Sequence, residues 1–226
     1  MKEKMLIKEA LKEFCDKNRT LFKDSVSEQA ICASLSQCLL LSIRENYTEF
    51  NAYYVDVEYN RGYAGQRKYI KQKNGDELRL RSVVCDLVIH NRGEQTAPIE
   101  NLIAIEMKKT SDCIRKVGNK TEKEYFKDRR ESDIARLKAL TANSIKATGD
   151  GLYPIKNEIN QKTFVEGFQL GVFIELCDKE INTDYPENFW KESSIKQIKI
   201  RFFVDGEEVV NENYSIKFNN KSFEIH

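Results

Sequence analysis

Val84-Cys85-Asp86-Leu87-Val88-Ile89-His90 and Ile103-Ala104-Ile105-Glu106-Met107-Lys108 are the stretches on which the fold turns. Both are short, apolar and rich in β-branched residues, so both read as strands. Alternate side chains of a strand share a face. Glu106 and Lys108 therefore point one way with Ala104, while Ile103, Ile105 and Met107 point the other way into apolar packing. Asp86 interrupts an apolar run, which is costly unless its carboxylate is paired or ligated. The two acids stand 20 positions apart (106 − 86), a separation that suits adjacent antiparallel strands joined by a loop. In that register two carboxylates and one ammonium converge at one spot.

Outward from this pair, residues 2–22 carry Met5, Leu6, Ala10, Phe14 and Leu21 at roughly helical spacing. Ser25 or Ser27 is an N-cap for a second helix over 27–46, with Ile31, Leu35 and Leu39 as its stripe and Glu28 at the stripe's head. Tyr53 to Tyr59 reads as a strand, and 61–80 as a hairpin or loop. After the second acidic strand comes a charged connection over 109–130, then a helix over 131–143 with Ile134, Leu137 and Leu140 on one face. Phe168 to Leu176 is almost wholly apolar, as a central strand would be. From 195 onward, alternation such as Ile198-Lys199-Ile200-Arg201-Phe202 predicts further strands at an edge. The order helix, three strands, helix, strand predicts a mixed sheet flanked by helices, an α/β sandwich. The expectation is one domain over 1–226, with a core over about 27–176 and a β-rich C-terminal extension over about 178–226.

The 226 residues are 40% hydrophobic and 32% charged, ordinary for a globular chain. Only 10 glycines and 3 prolines are present, which excludes long flexible linkers and collagen-like repeats. A net charge of +1 neither announces nor excludes a nucleic-acid partner, because clustering decides that. Cys15, Cys32, Cys38, Cys85, Cys113 and Cys177 form no CxxC pair, and no histidine pair has zinc spacing. They read as small hydrophobes in a reducing compartment. The opening MKEKMLIKEALKEF lacks the apolar core of a secretory signal, and no stretch reaches the roughly 20 apolar residues of a membrane span. The expectation is a cytoplasmic protein with no membrane partner.

Two carboxylates beside a lysine suit phosphodiester hydrolysis. That reaction needs negative charge stabilised on oxygen and a water activated near neutral pH. Carboxylates hold Mg²⁺, a hard cation that prefers oxygen and keeps several waters. Such a cation polarises the phosphate and lowers the pKa of bound water. A lysine either orients or deprotonates that water, and neutralises developing charge. The backbone carbonyl of Met107 is a further candidate ligand.

Asp86 on one strand, Glu106-Met107-Lys108 on the next and Glu28 on a preceding helix resemble the PD-(D/E)XK nuclease superfamily, the restriction-endonuclease-like fold. That family's core is helix, three antiparallel strands, helix, strand, the order read over 27–176. The resemblance implies an α/β/α sandwich in which Asp86 and Glu106 bind metal, Lys108 serves the water and Glu28 assists. It implies Mg²⁺, with Mn²⁺ as substitute. Cys85 stands where the family name has proline, a position that varies within the superfamily. The segments Glu58-Tyr59-Asn60-Arg61, 86–93, 101–109 and 133–138 also resemble uncharacterised bacterial members associated with mobile elements and defence.

Other residues carry two readings each. Glu58 and Arg61 either join the acid cluster and grip phosphate or form a surface ion pair. Arg136 and Lys138, on the crossover helix with Asp133, contact phosphate or lie on a solvated face. Lys109 opens a basic run to Arg130 that either tracks a nucleic-acid backbone or is an ordinary solvated segment. Arg61, Arg67, Lys68, Lys71 and Lys73, with Tyr63 and Tyr69 among them, make the better substrate arm. His90 shares the face of Asp86 and reads as a polar strand end before a catalytic group. Tyr185, Phe189 and Trp190 read as a hydrophobic anchor.

The expected function is a metal-dependent nuclease, with DNA favoured over RNA, working with a protein partner or as a homodimer. The rival is a partner-dependent or catalytically degenerate module of the same fold that binds nucleic acid or protein.

Overall fold

Ser27 starts the helix that carries Glu28: its Oγ accepts from the Ala30 N–H at 3.3 Å, and Glu28 adds negative charge to the first turn. This helix, α3 (Glu28–Asn46), buries Ile31, Leu35, Leu39 and Ile43 as one stripe. The computed structural model describes residues 1–23, 26–60, 69–74, 77–94, 96–97, 99–110, 122–142, 152–153, 167–177, 195–218 and 222–226. The helix predicted over 2–22 is two, α1 (Lys2–Lys17) and α2 (Arg19–Lys23). Between them the Asn18 side chain donates to the Phe14 carbonyl at 3.2 Å, offering the backbone an alternative to another helical turn.

The strands are β1 (Tyr54–Val57), β2 (Tyr69–Asn74), β3 (Glu77–Ser82), β4 (Leu87–His90), β5 (Asn101–Lys109), β6 (Leu152–Tyr153), β7 (Leu170–Cys177), β8 (Gln197–Val204), β9 (Glu207–Glu208), β10 (Tyr214–Phe218) and β11 (Phe223–Ile225). Among the described residues the main sheet has eight strands in the order β1-β4-β5-β7-β8-β10-β11, with β9 on β8. β1, β4 and β5 pair antiparallel in turn. β5 and β7 are parallel, Ile103 opposite Leu170 through Lys109 opposite Leu176, and the chain between them forms α4 (Glu122–Thr141). The chain is thus α/β with an open mixed sheet. β2 and β3 form a hairpin that β6 extends, where the sequence allowed a hairpin or a loop. β7 is central, as its apolar run predicted, and β8, β10 and β11 lead to one edge.

Residue parity divides the core. Leu87, Ile89, Ile103, Ile105, Met107, Val172 and Ile174 face α1 and α3. Val88, Ala104, Phe173 and Phe203 face α4, against Ala135, Leu137, Ala139 and Leu140. α4 begins well before the predicted 131, because a run of Glu, Lys and Arg favours helix intrinsically but shows no apolar period. α4 lies close to β7 at Gly171. A Cβ there would meet Thr141 Cγ2 at 3.1 Å, Phe203 Cβ at 3.2 Å and Leu137 Cβ at 3.4 Å.

Five described cysteines are free thiols, four of them buried, and Cys113 lies outside the described residues. Among the described residues no helix is long and apolar enough to cross a membrane.

The β1 edge is pinned by Asp56. Its carboxylate accepts from Arg92 Nε at 2.8 Å and Nη2 at 2.5 Å, and meets His90 Nε2 at 2.9 Å. Arg92 also lies over the Tyr54 ring, 4.1 Å from its centroid. Burial pushes the Asp56 carboxyl up, but Arg92 and His90 outweigh it and hold it below the usual range.

Two outcomes follow. Gly171→Val overpacks the α4–β7 contact and lowers stability by about 1–3 kcal/mol, read as a lower urea midpoint at unchanged slope. An unmoved midpoint would mean that α4 does not sit this close. Asp56→Asn costs about 1–3 kcal/mol at neutral pH. Because the folded pKa is depressed, the wild-type advantage is present above the unfolded value of about 4 and disappears as pH falls through the folded value. Unfolding of both proteins at pH 7 and at about pH 2 checks this, and an equal deficit at both refutes it.

Candidate active site

β4 stops short of Asp86, where the sequence had a strand from Val83 to His90, and the reason lies in Asp86 itself. Its Oδ2 accepts the Met107 N–H at 2.6 Å, a donor that would otherwise have continued the β4–β5 ladder. The Asp86 carbonyl accepts from the Glu58 N–H at 3.1 Å on the other side. In an extended strand the N–H and C=O of one residue point to the same side. The Met107 carbonyl therefore leaves β5 on the side of Asp86. Burial pushes the Asp86 carboxyl up, while the Met107 N–H and Lys108 pull it down, and burial wins.

Glu106 is 1% exposed in the middle of β5. Arg136 of α4 forks onto it, Nε to Oε1 at 2.6 Å and Nη2 to Oε2 at 2.7 Å. The same Nη2 lies 2.7 Å from Asp133 Oδ1. Burial drives the Glu106 carboxyl up strongly, with Asp86 and Asp133 adding to the push and Arg136 opposing it. Burial also disfavours the charge on Arg136, but Glu106 and Asp133 more than reverse that. The two-point fork is the geometry of an ionised pair, and on that ground Glu106 is a carboxylate here.

Lys108 lies on the face of Glu106, as strand parity requires. Its Nζ is 3.3 Å from Glu28 Oε2 and 3.7 Å from Asp133 Oδ2. Burial disfavours the ammonium, but Glu28 and Asp133 outweigh it and raise the Lys108 pKa. Glu28 reaches the end of β5 from the first turn of α3, and its Oε1 accepts the Lys109 N–H at 2.7 Å. Glu58 follows β1 with φ 51, and its Oε1 accepts from Gln29 Nε2 at 2.8 Å. Beneath them the buried Cys32 thiol lies 3.7 Å from the Met107 sulfur. Burial raises the Cys32 pKa, and so does the charge of Asp86, Glu28, Glu106 and Glu58.

The structure brings together Asp86, Glu106, Lys108, Glu28, Glu58 and the Met107 backbone. It directs two expected phosphate contacts elsewhere. Lys109 is 4% exposed, and its ammonium donates to the Val26 carbonyl at 2.8 Å, because β5 continues past Lys108 under the start of α3. Arg136 faces the acids and not a solvated surface. His90 is fully buried against Asp56 and the Tyr59 ring, 4.4 Å between centroids, and serves the β1 edge. Arg61, Arg67 and Lys68 lie outside the described residues, as do Tyr63, Tyr185, Phe189 and Trp190. Of the basic run after Lys109, Arg130 donates to Glu175 Oε2 at 3.0 Å.

Asp133 and Gln29 were not given site roles from the sequence. Asp133 was legible in one respect: it stands three residues before Arg136, so both lie on one face of α4.

Among the described residues no three His, Cys, Asp or Glu side chains group as a metal cage. The oxygen donors that strand order and the Asp86–Met107 contact place in this region are the Asp86 and Glu106 carboxylates and the Met107 carbonyl. All are hard oxygens, and a cation that retains several waters needs no more from the protein. No protein-family model, no curated protein and no solved structure matches this chain.

Proposed function

We propose that this chain is a metal-dependent nuclease of the PD-(D/E)XK type, with the restriction-endonuclease-like fold, hydrolysing phosphodiester bonds with DNA favoured over RNA. The observation that carries the reading is the opening of the β4–β5 ladder at Asp86. There the Asp86 carboxylate holds the Met107 N–H of the neighbouring strand, between Glu106 and Lys108, whose ammonium contacts Glu28 and Asp133.

Asp86, Glu106 and the Met107 carbonyl would hold Mg²⁺, or Mn²⁺ in its place. The bound ion would polarise the phosphate and acidify its water. The chain's own residues orient and neutralise. Lys108, its ammonium held by Glu28 and Asp133, would position the attacking water and offset charge on the phosphate oxygens. Glu28 positions Lys108 by its contact with Nζ and by holding the backbone at Lys109. Gln29 steadies Glu58 beside Asp86. A second protomer or a protein partner would supply further substrate contacts.

A second reading has its own observation. The Arg136 fork occupies both oxygens of Glu106, as it would in a nuclease-like module that has become a binding partner without turnover.

Purified protein should cut supercoiled plasmid, single-stranded DNA or RNA with Mg²⁺ or Mn²⁺ and not with EDTA. Asp86→Ala and Lys108→Ala should each reduce the rate by about 10²-fold or more while remaining folded. Cutting that survives both substitutions would place the chemistry elsewhere. A wild type that cuts none of the three substrates, alone or with its partner, would favour the binding module.

A further inference from the structure

Arg136 has two acidic neighbours of unequal burial. Glu106 is nearly sealed, with its side chain 2% exposed, whereas Asp133 is 12% exposed and Arg136 itself 16%. The guanidinium bridges them, using Nε and Nη2 on Glu106 and Nη2 again on Asp133. A carboxylate buried as deeply as Glu106 needs a cation beside it, because leaving it without one is strongly unfavourable. Any divalent cation reaching Glu106 finds both oxygens already held in a fork.

We infer that Arg136 is an internal competitor for the cation site: a divalent ion binds Glu106 only as the guanidinium leaves it, and Asp133 retains the released arginine. This rests on the reading of Asp86 and Glu106 as cation ligands. Exchange of one cation for another keeps Glu106 neutralised throughout. Asp133, one turn from Arg136 on the same helix, gives the guanidinium a partner in both states. The apparent affinity for the ion is the intrinsic affinity reduced by the fraction of molecules in which Glu106 is released. The chain would therefore carry its metal only at raised concentration, or when substrate phosphate offers Arg136 a better anion.

The opposite role is a fixed support, in which Arg136 orients Glu106 toward the ion and binding weakens without it. Mn²⁺ titration of the full-length chain by calorimetry, without substrate, separates the two. Arg136→Gln removes charge and fork together. Arg136→Lys keeps the charge but replaces the fork with a single point, and retains a cation beside Glu106 should the glutamine variant not fold. Competition predicts Mn²⁺ binding about tenfold tighter in the lysine variant, and tighter again in the glutamine variant. Lysine-variant binding equal to or weaker than wild type overturns the inference, including the case in which the glutamine variant alone binds tighter, since lost charge then explains it. Asp86→Ala is the reference. If neither the wild type nor any Arg136 variant shows binding that Asp86→Ala removes, the cation-ligand reading itself fails.

Discussion

A carboxylate in the middle of a fully buried strand is stable only with a cation against it, and in this chain that cation is Arg136. The fork ties α4 to β5 at one point, and much of the polar arrangement follows. Because α4 must bring Arg136 to Glu106, it also brings Asp133 to Lys108, and Glu28 closes on the same ammonium from α3. Two helices on opposite faces of the sheet thus meet across the end of β5. Around Glu106 and Lys108 the charges are held mutually.

The two faces of the sheet divide the labour. The face under α1 and α3 is aliphatic along β4, β5, β7 and β8, and it supplies most of the buried apolar surface. The face under α4 is smaller in its apolar cluster and carries Glu106, Lys108 and Glu175. Strand alternation makes this possible: one strand supplies both an apolar core face and a charged face without either intruding on the other. The same economy explains Asp86. By taking the Met107 N–H with a side chain, it ends a ladder and satisfies a buried donor in one contact.

What could be read from the sequence was what has a short period. The face shared by Glu106 and Lys108, the stripe of α3 with Glu28 at its head, and the central position of the 168–176 strand all follow from spacing along the chain. What could not be read was where long side chains end. Lys109 looked like an exposed lysine because nothing local shows that β5 runs on beneath α3. Arg136 looked solvated because its partner lies 30 residues away on another element. The break at Asn18 depends on a side chain choosing a backbone carbonyl, and the early start of α4 lies in a charged run with no apolar period. The antiparallel register of Asp86 with Glu106 was legible only as a suitable separation. The structure adds the mechanism, in which β4 ends and the carboxylate takes over its hydrogen bond.

The close approach at Gly171 reaches beyond packing. Thr141 and Leu137 rest on that glycine, and Arg136 is the neighbour of Leu137 on the same rigid helix. A Cβ at 171 would press on Thr141 and Leu137 of α4 and on Phe203 of β8, so these neighbours would have to give by a few tenths of an ångström. The seat of the helix that carries Arg136 is thus set in part by a residue with neither charge nor side chain.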